Sequence, residues 1–295
     1  MIKKTRSEKI INVVNYIVLA LLMLCIIIPM LSVVGASFVS AAEIARRGEF
    51  IIIPQKWDTS SYQMVFRSAN IWRGFRNTLC LVAVGTTTSM ISTICLAYPL
   101  SKKKMRGRNF LLSMVFFTMI FSGGTVPTYL LVSNLHMVDT FWALFLPSLI
   151  NTWNMLLMRN FFYSVPDALE EAALLDGANQ AQILVRVVLP LSLSSIVTIT
   201  MFYAVSYWNA WWPGVLYLNS NRLMPIQNII RGIVDAANAA QSDLDVSAMS
   251  DDYVMPPTHA LKCATIVVGT IPILCVYPFI QKYFVKGVMV GSVKG

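Results

Sequence analysis

The chain has 295 residues, of which 56% are hydrophobic and only 13% are charged, and its mean hydropathy is +0.64. This composition excludes one large soluble domain and indicates a protein that crosses a membrane several times. The net charge of +9 would also suit nucleic-acid binding, so the position of the basic residues along the chain decides what it means.

The first predicted element is a transmembrane helix over residues 10–38. Four basic residues stand before it, Lys3, Lys4, Arg6 and Lys9. A signal peptide starts in the same way, but its apolar region is only about 7–15 residues long. We therefore expect a cytoplasmic N-terminus over residues 1–9, followed by an uncleaved span and a polar external loop.

Three further spans are predicted over residues 75–100, 110–132 and 141–158. Residues 101–108 between the first two are rich in lysine and arginine, which is typical of a cytoplasmic anchor between spans. The third span contains the run from Ser122 to Pro127, which predicts a kink or a helix end, because glycine and proline weaken a helix.

An amphipathic polar loop over residues 165–190 follows the fourth span. Pro166 suits a first turn, and acidic side chains there complement the helix dipole, which predicts a helix. Gly177 can end this helix in the left-handed conformation. Asp176 is expected to cap a second helix that begins near Ala178 and enters the membrane. The loop is therefore a helix, a tight turn and another helix.

The remaining predicted spans cover residues 184–212 and 261–280, separated by a long external segment and followed by a tail over 281–295. The segments assigned to the cytoplasm carry 14 basic and 5 acidic residues, whereas the rest carries 9 of each. The whole net charge therefore lies on one side of the membrane. This pattern predicts six transmembrane helices with both termini in the cytoplasm, and nucleic acid need not be invoked.

The fifth span ends in an aromatic cluster that permits two interpretations. Aromatic residues gather at membrane interfaces without any further function. They also stack on sugars while amides bind hydroxyl groups, which makes the cluster a candidate substrate path. The sequence does not say which helix face lines that path. The candidates are Tyr203, Tyr207, Trp208, Asn209, Trp211 and Trp212.

No residue pattern indicates catalysis or a resident cofactor. The chain has no phosphate-binding G-x-x-x-x-G-K-[ST] motif, and its two histidines, His136 and His259, are expected to be surface residues of external segments. A proton- or ion-coupled secondary transporter is the alternative class, but ionisable residues, which relay protons in such proteins, are nearly absent from the spans. We expect a non-enzymatic transport subunit without a bound metal.

The spacing in loop 165–190 resembles the EAA loop of the membrane subunits of ATP-binding-cassette (ABC) importers. The matching residues are Glu171, Ala172, Ala173, Gly177, Val187, Leu189 and Pro190, and Val187 replaces the commoner isoleucine. In that family the loop docks on a cytoplasmic ATPase. The resemblance implies that a separate subunit binds ATP and Mg, and that Glu170, Glu171, Ala172, Ala173, Asp176 and Gly177 carry the coupling.

Nearly the whole chain resembles the MalG-type carbohydrate permeases, most of all their LplC/YtcP-like branch. The strings that carry this resemblance are MIFSGGTVPTYLLV, DALEEAALLDGA and YPFIQKYFVKGVMVGSVKG. It implies the MetI-like fold of type I importers, a second homologous permease, two ATPase subunits, and an external solute-binding lipoprotein that delivers an oligosaccharide. It also implies the plasma membrane of a Gram-positive bacterium.

The tail over 281–295 permits two interpretations as well. Its glycines make a packed helix unfavourable, and termini are often loose. Its valines are too apolar for a solvated end, however, and the resemblance implies an extended tail between the two ATPase subunits. The expected contact residues are Lys286, Gly287, Gly291 and Lys294.

Overall fold

The computed structural model describes residues 6–242 and 259–292, and all regular secondary structure in these two ranges is helical. By contacts the chain divides into two units. One contains residues 1–71 and 230–271, and the other contains 72–229 and 272–295. The all-α class predicted from the composition is confirmed. The tip of the external segment, residues 243–258, lies outside the described ranges.

Among the residues that the structure describes, three helices are long and apolar enough to cross a membrane alone, and their apolar stretches are Lys9–Ala36, Ala69–Ser101 and His259–Pro278. They belong to α1 (Arg6–Ala36), α4 (Ala69–Ser101) and α14 (His259–Ser292). Two short helices, α2 (Ala41–Arg47) and α3 (Ser60–Arg67), lie between α1 and α4. These helices occupy most of the first, second and sixth predicted spans.

The third predicted span is broken. It consists of α5 (Arg108–Ile120) and α6 (Thr125–Asn134), which meet at an angle of 112°. The break contains Gly124, whose φ of +86° lies in the left-handed region that glycine adopts without a steric cost. The kink predicted from the Ser122–Pro127 run is present, and it is sharp enough to reverse much of the span.

The fourth predicted span is also bent. Residues Phe141–Leu144 and Leu146–Ser148 form short 3-10 turns, and α7 (Thr152–Tyr163) follows at 55°. The side chain of Asn151 caps α7 by accepting the backbone N–H of Asn154 at 3.0 Å. The break therefore has its own hydrogen-bond acceptor at the helix start.

The fifth predicted span is not one helix, contrary to the prediction over 184–212. The short α9 (Gln180–Ile183), a π-helical segment (Leu184–Val188) and α10 (Leu189–Leu191) lead to α11 (Leu193–Trp208) through a bend of 85°. Pro190 lacks the N–H that would bond to the carbonyl of Arg186, and the helix is π-helical just before it, over Leu184–Val188. Beyond α11, the chain forms α12 (Trp212–Tyr217) and α13 (Ile226–Ser242).

The C-terminal tail differs from its prediction. The backbone of α14 remains helical to Ser292, although the tail from Val285 to Gly295 was expected to be a poor candidate for a packed helix. Extending an existing helix requires no new nucleus, so the cost of about 1 kcal/mol for each glycine does not prevent it. Lys286, Gly287 and Gly291 are thus helical positions, and Lys294 lies outside the described residues.

The core of the second unit lies where α4, α7 and α11 pack together. Fully buried side chains from each helix meet there, among them Leu81, Met155, Met158 and Ile199. Two hydroxyl pairs cross the core. Ser89 and Tyr207 are 2.8 Å apart, and so are Thr93 and Tyr203. Because buried hydroxyls need partners, these pairs fix the register of α11 against α4.

Candidate functional site: the helical loop and the aromatic cluster

The loop over 165–190 has the predicted helix, turn and helix. Helix α8 covers Asp167–Leu175, and Gly177 follows it with φ of +81°. The N–H of Ala178 bonds the carbonyl of Ala173, and the N–H of Gly177 bonds that of Leu174, both at 3.0 Å. This is a Schellman ending, which needs a left-handed residue where Gly177 stands. The predicted role of Gly177 in the turn is confirmed.

The cap of the second helix is not Asp176, as predicted, but Asn179. Asp176 occupies the C-cap of α8 instead. Asn179 and Gln182 form a reciprocal capping box, in which each side chain accepts the other residue's backbone N–H at 2.9 Å. The turn at Gly177 needs two more residues before a helix can restart. The spacing Asn-x-x-Gln is typical of a capping box, so this cap was predictable from the sequence.

One face of α8 is held by the basic turn after α4. The ammonium of Lys102 pairs with the carboxylate of Glu170, and both side chains are largely covered, with exposures of 26% and 14%. The same ammonium lies 4.2 Å from the ring centroid of Tyr98, whose hydroxyl donates to Gln180 Oε1 at 3.1 Å. The sequence predicts only a membrane anchor over residues 101–108, and these contacts with α8 and α9 were not predicted.

The face of α8 that carries Glu171, Ala172 and Leu175 is open. Leu175 is 89% exposed, Leu169 and Leu174 are also exposed, and so are Glu171, Ala172, Asp176 and Gly177. Ala173 is half-buried and faces the core of the second unit. The six residues assigned to coupling thus divide into an inner pair, Glu170 and Ala173, and four that are free to meet another surface.

The aromatic cluster divides in a similar way. Tyr203 and Tyr207 are only 3% and 5% exposed, and Trp208 is buried beside Phe75 with ring centroids 6.3 Å apart. Tyr203 also accepts the backbone N–H of Asn151 at 3.0 Å, which satisfies a donor at the break before α7. These three aromatic residues have structural contacts within the chain.

Asn209 and Trp212 are exposed, and Trp211 is half-buried with its ring edge-on to Trp212 at 5.4 Å. Two neighbouring cavities of about 360 and 390 Å³ open between this region and the break before α7. Their shared lining is Ser148, Ser206 and Tyr207, and the second is also bordered by Asn151 and Asn154. Hydroxyl, amide and aromatic groups therefore converge there, the mixture that a carbohydrate requires.

The fold and the loop define a helical membrane subunit that crosses the bilayer with broken spans and presents a short helix beyond them. The family model of binding-protein-dependent transport system inner membrane components matches residues 91–290. The chain belongs to this family, and the resemblance inferred from the sequence is confirmed.

Individual relatives cover almost the whole chain. The polygalacturonan/rhamnogalacturonan transport system permease protein YtcP of Bacillus subtilis (strain 168) is 40% identical over 289 residues, which are 98% of this chain and 100% of YtcP. Protein LplC of the same organism is 38% identical over 291 residues, 99% of this chain and 97% of LplC. One solved structure is also similar, a chain from the crystal structure of a bacterial ABC transporter involved in the import of the acidic polysaccharide alginate. The match has a TM-score of 0.84 and 32% identity, and it covers 96% of this chain and 100% of the other.

Proposed function

We propose that this chain is a permease subunit of an ABC importer for a carbohydrate, in the form of an oligosaccharide. Its membership of the inner membrane component family and the names of its relatives support this assignment. The cavities beside α11 supply the polar and aromatic lining that such a substrate needs. A second, homologous permease would complete the pathway, and an external solute-binding lipoprotein would deliver the sugar.

The open face of α8 is the observation that supports coupling to a separate ATPase. Glu171 and Leu175, one turn apart, are both exposed on this face, and an apolar side chain with a charged neighbour suits a docking site. We assign this face to one of two cytoplasmic ATPase subunits. Those subunits, and not this chain, would bind ATP and Mg and perform the hydrolysis.

The orientation follows from the distribution of charge, and the location follows from the family and the relatives. With both termini and loop 165–190 in the cytoplasm, the excess of basic residues satisfies the positive-inside rule. The membrane is then the plasma membrane of a bacterium, and the two Bacillus relatives support a Gram-positive one. In this orientation α11 leads from the ATPase side to the aromatic cluster on the external side.

Uptake into proteoliposomes tests the proposal. The importer would be reconstituted with its second permease and ATPase, and radiolabelled oligosaccharide supplied with the binding protein. We expect uptake to require internal ATP and the binding protein and to continue when an uncoupler collapses the proton gradient. Uptake that stops with the uncoupler while ATP remains high would instead identify a proton-coupled secondary transporter.

A further inference from the structure

Three cationic side chains converge on the ring of Tyr163, at the end of α7. The ring centroid lies 5.1 Å from Lys103 Nζ, 5.8 Å from Arg108 Cζ and 5.3 Å from Arg159 Cζ. The cations come from the turn after α4, the first residue of α5 and the last turns of α7. The ring attracts each of them by a cation–π interaction, but it does not neutralise their charge.

The two arginines are also brought together at one backbone carbonyl. Arg108 Nε donates to the oxygen of Leu100 at 3.0 Å, and Arg159 Nε donates to the same oxygen at 3.2 Å. Two guanidinium groups thus lie side by side and repel each other. Across residues 6–242 and 259–292, neither forms an ion pair with a carboxylate, and Asp167 pairs only with Lys103, at 3.4 Å. The cluster has an excess of positive charge.

Donors remain available in this cluster. Apart from the two bonds to Leu100, these side chains make one hydrogen bond to the described residues. It runs from Arg159 Nη1 to Asn160 Oδ1 at 2.9 Å. Both terminal nitrogens of Arg108 and one of Arg159 can therefore donate elsewhere. A guanidinium fork matches the oxygen geometry of a phosphate, and two adjacent forks can share one anion.

An apolar surface continues from the cations into the membrane. Arg108 is the first residue of α5, and Phe110, Leu111 and Met114 follow it on the same helix with exposures of 70%, 38% and 52%. Helix α5 belongs to a candidate span, so these side chains lie where acyl chains run. A free phosphate would use only the arginines, whereas a phospholipid would occupy both parts of the surface.

We propose that Arg108, Arg159 and Lys103, arranged around Tyr163, bind the phosphate of an anionic phospholipid whose acyl chains lie along α5. Basic pockets between membrane helices bind such headgroups in other proteins, and anionic lipid offsets the repulsion between the two guanidinium groups. The site lies next to the turn that holds α8 through Lys102. Bound lipid thereby orders the membrane side of the coupling loop.

Native mass spectrometry of the purified full-length chain tests the site. The chain would be titrated with phosphatidylglycerol and, separately, with phosphatidylcholine. We expect preferential retention of phosphatidylglycerol, lowered about fivefold by Arg108→Gln or Arg159→Gln alone and about 25-fold by both, since each basic residue contributes about a factor of five to anionic lipid binding. Arg108→Lys with Arg159→Lys keeps the charge without the forks and should give an intermediate loss.

Arg106→Gln is the matched control, because Arg106 is an exposed basic residue of the same turn. It should leave the preference within about twofold of the original chain, because Arg106 is not among the cations around Tyr163 and the purified chain presents no extended anionic surface to it. Equal retention of the two lipids would overturn the proposal, and so would a double glutamine variant that keeps the preference. Inorganic phosphate is the third probe. If millimolar phosphate bound without lipid and displaced phosphatidylglycerol, the site would belong to a free anion instead.

Discussion

Lys102 and Glu170 form an ion pair across 68 residues of sequence, between the end of α4 and the helix that we assign to ATPase docking. The pair gives α8 a second connection to the membrane helices, besides its direct continuation through α9 into α11. Helix α4 in turn contacts α11 through Ser89 and Thr93. A displacement of α8 would thus be transmitted to both helices.

The first prediction is that this pair couples hydrolysis to transport. Lys102→Glu places two carboxylates together in a half-covered site, at a cost of about 1–3 kcal/mol, between the values for exposed and buried pairs. We expect the assembled importer to transport fewer sugars per ATP hydrolysed. The exchanged variant, Lys102→Glu with Glu170→Lys, should recover most of the ratio, and Lys104→Glu is the control for charge alone. A wild-type ratio in the single variant would contradict the role.

The open face of α8 leads to the second prediction. Glu171→Lys reverses a charge on the proposed docking surface, where close charge pairs are worth about 1.5–7 kcal/mol in measured interfaces. We expect the variant to insert and to pair with the second permease but to lose ATPase on co-purification. Glu49→Lys is the control for charge reversal, because Glu49 is exposed, lies outside loop 165–190 and has His259, at 3.6 Å, as an ion-pair partner. Normal ATPase recovery with the Glu171 variant would move the docking surface elsewhere.

The turn after α8 gives the third prediction. Within the described part of the chain, a side chain at Gly177 would enter open space, so inside this chain only the positive φ opposes a substitution. A β-branched residue is disfavoured in this region, whereas asparagine is tolerated better. We expect Gly177→Val to abolish transport and Gly177→Asn to retain a large part of it, at equal membrane levels. Equal activity of the two variants would show that the left-handed turn is not required.

These residues also show which features of the site can be predicted from the sequence. The turn at Gly177 was predictable because a left-handed cap depends on neighbouring residues only. The ion pair between Lys102 and Glu170 was not, since its partners are distant in sequence and a basic run after a span has a sufficient explanation in membrane topology. The bend before α11 was predictable only in part. Pro190 marked the place, but its angle depends on packing against other helices.

The fourth prediction concerns the end of the chain. Its helical backbone to Ser292 replaces the extended tail expected from the sequence, but a contact with the ATPase subunits remains our proposal. Deleting residues 287–295 removes Gly287, Gly291 and Lys294 and leaves the apolar stretch His259–Pro278 intact. We expect normal insertion and permease pairing, with weaker ATPase binding measured by co-purification. Full transport by the truncated chain would exclude the contact.

The last prediction separates the structural aromatic residues from those facing the substrate. Tyr203→Phe removes a hydroxyl that accepts from Asn151 and pairs with Thr93, and each buried group left unsatisfied costs about 1–3 kcal/mol. Tyr203 also lines the second cavity, but its hydroxyl is committed to these two partners, so the variant should lower the melting temperature of the detergent-purified importer while leaving the KM for oligosaccharide uptake near its normal value. Trp211→Ala, at the edge of a cavity, should raise that KM severalfold without changing the melting temperature. The reverse pattern, with Tyr203 affecting KM and Trp211 affecting only stability, would place the substrate in the cavity beside Tyr203 and not in the one beside Trp211.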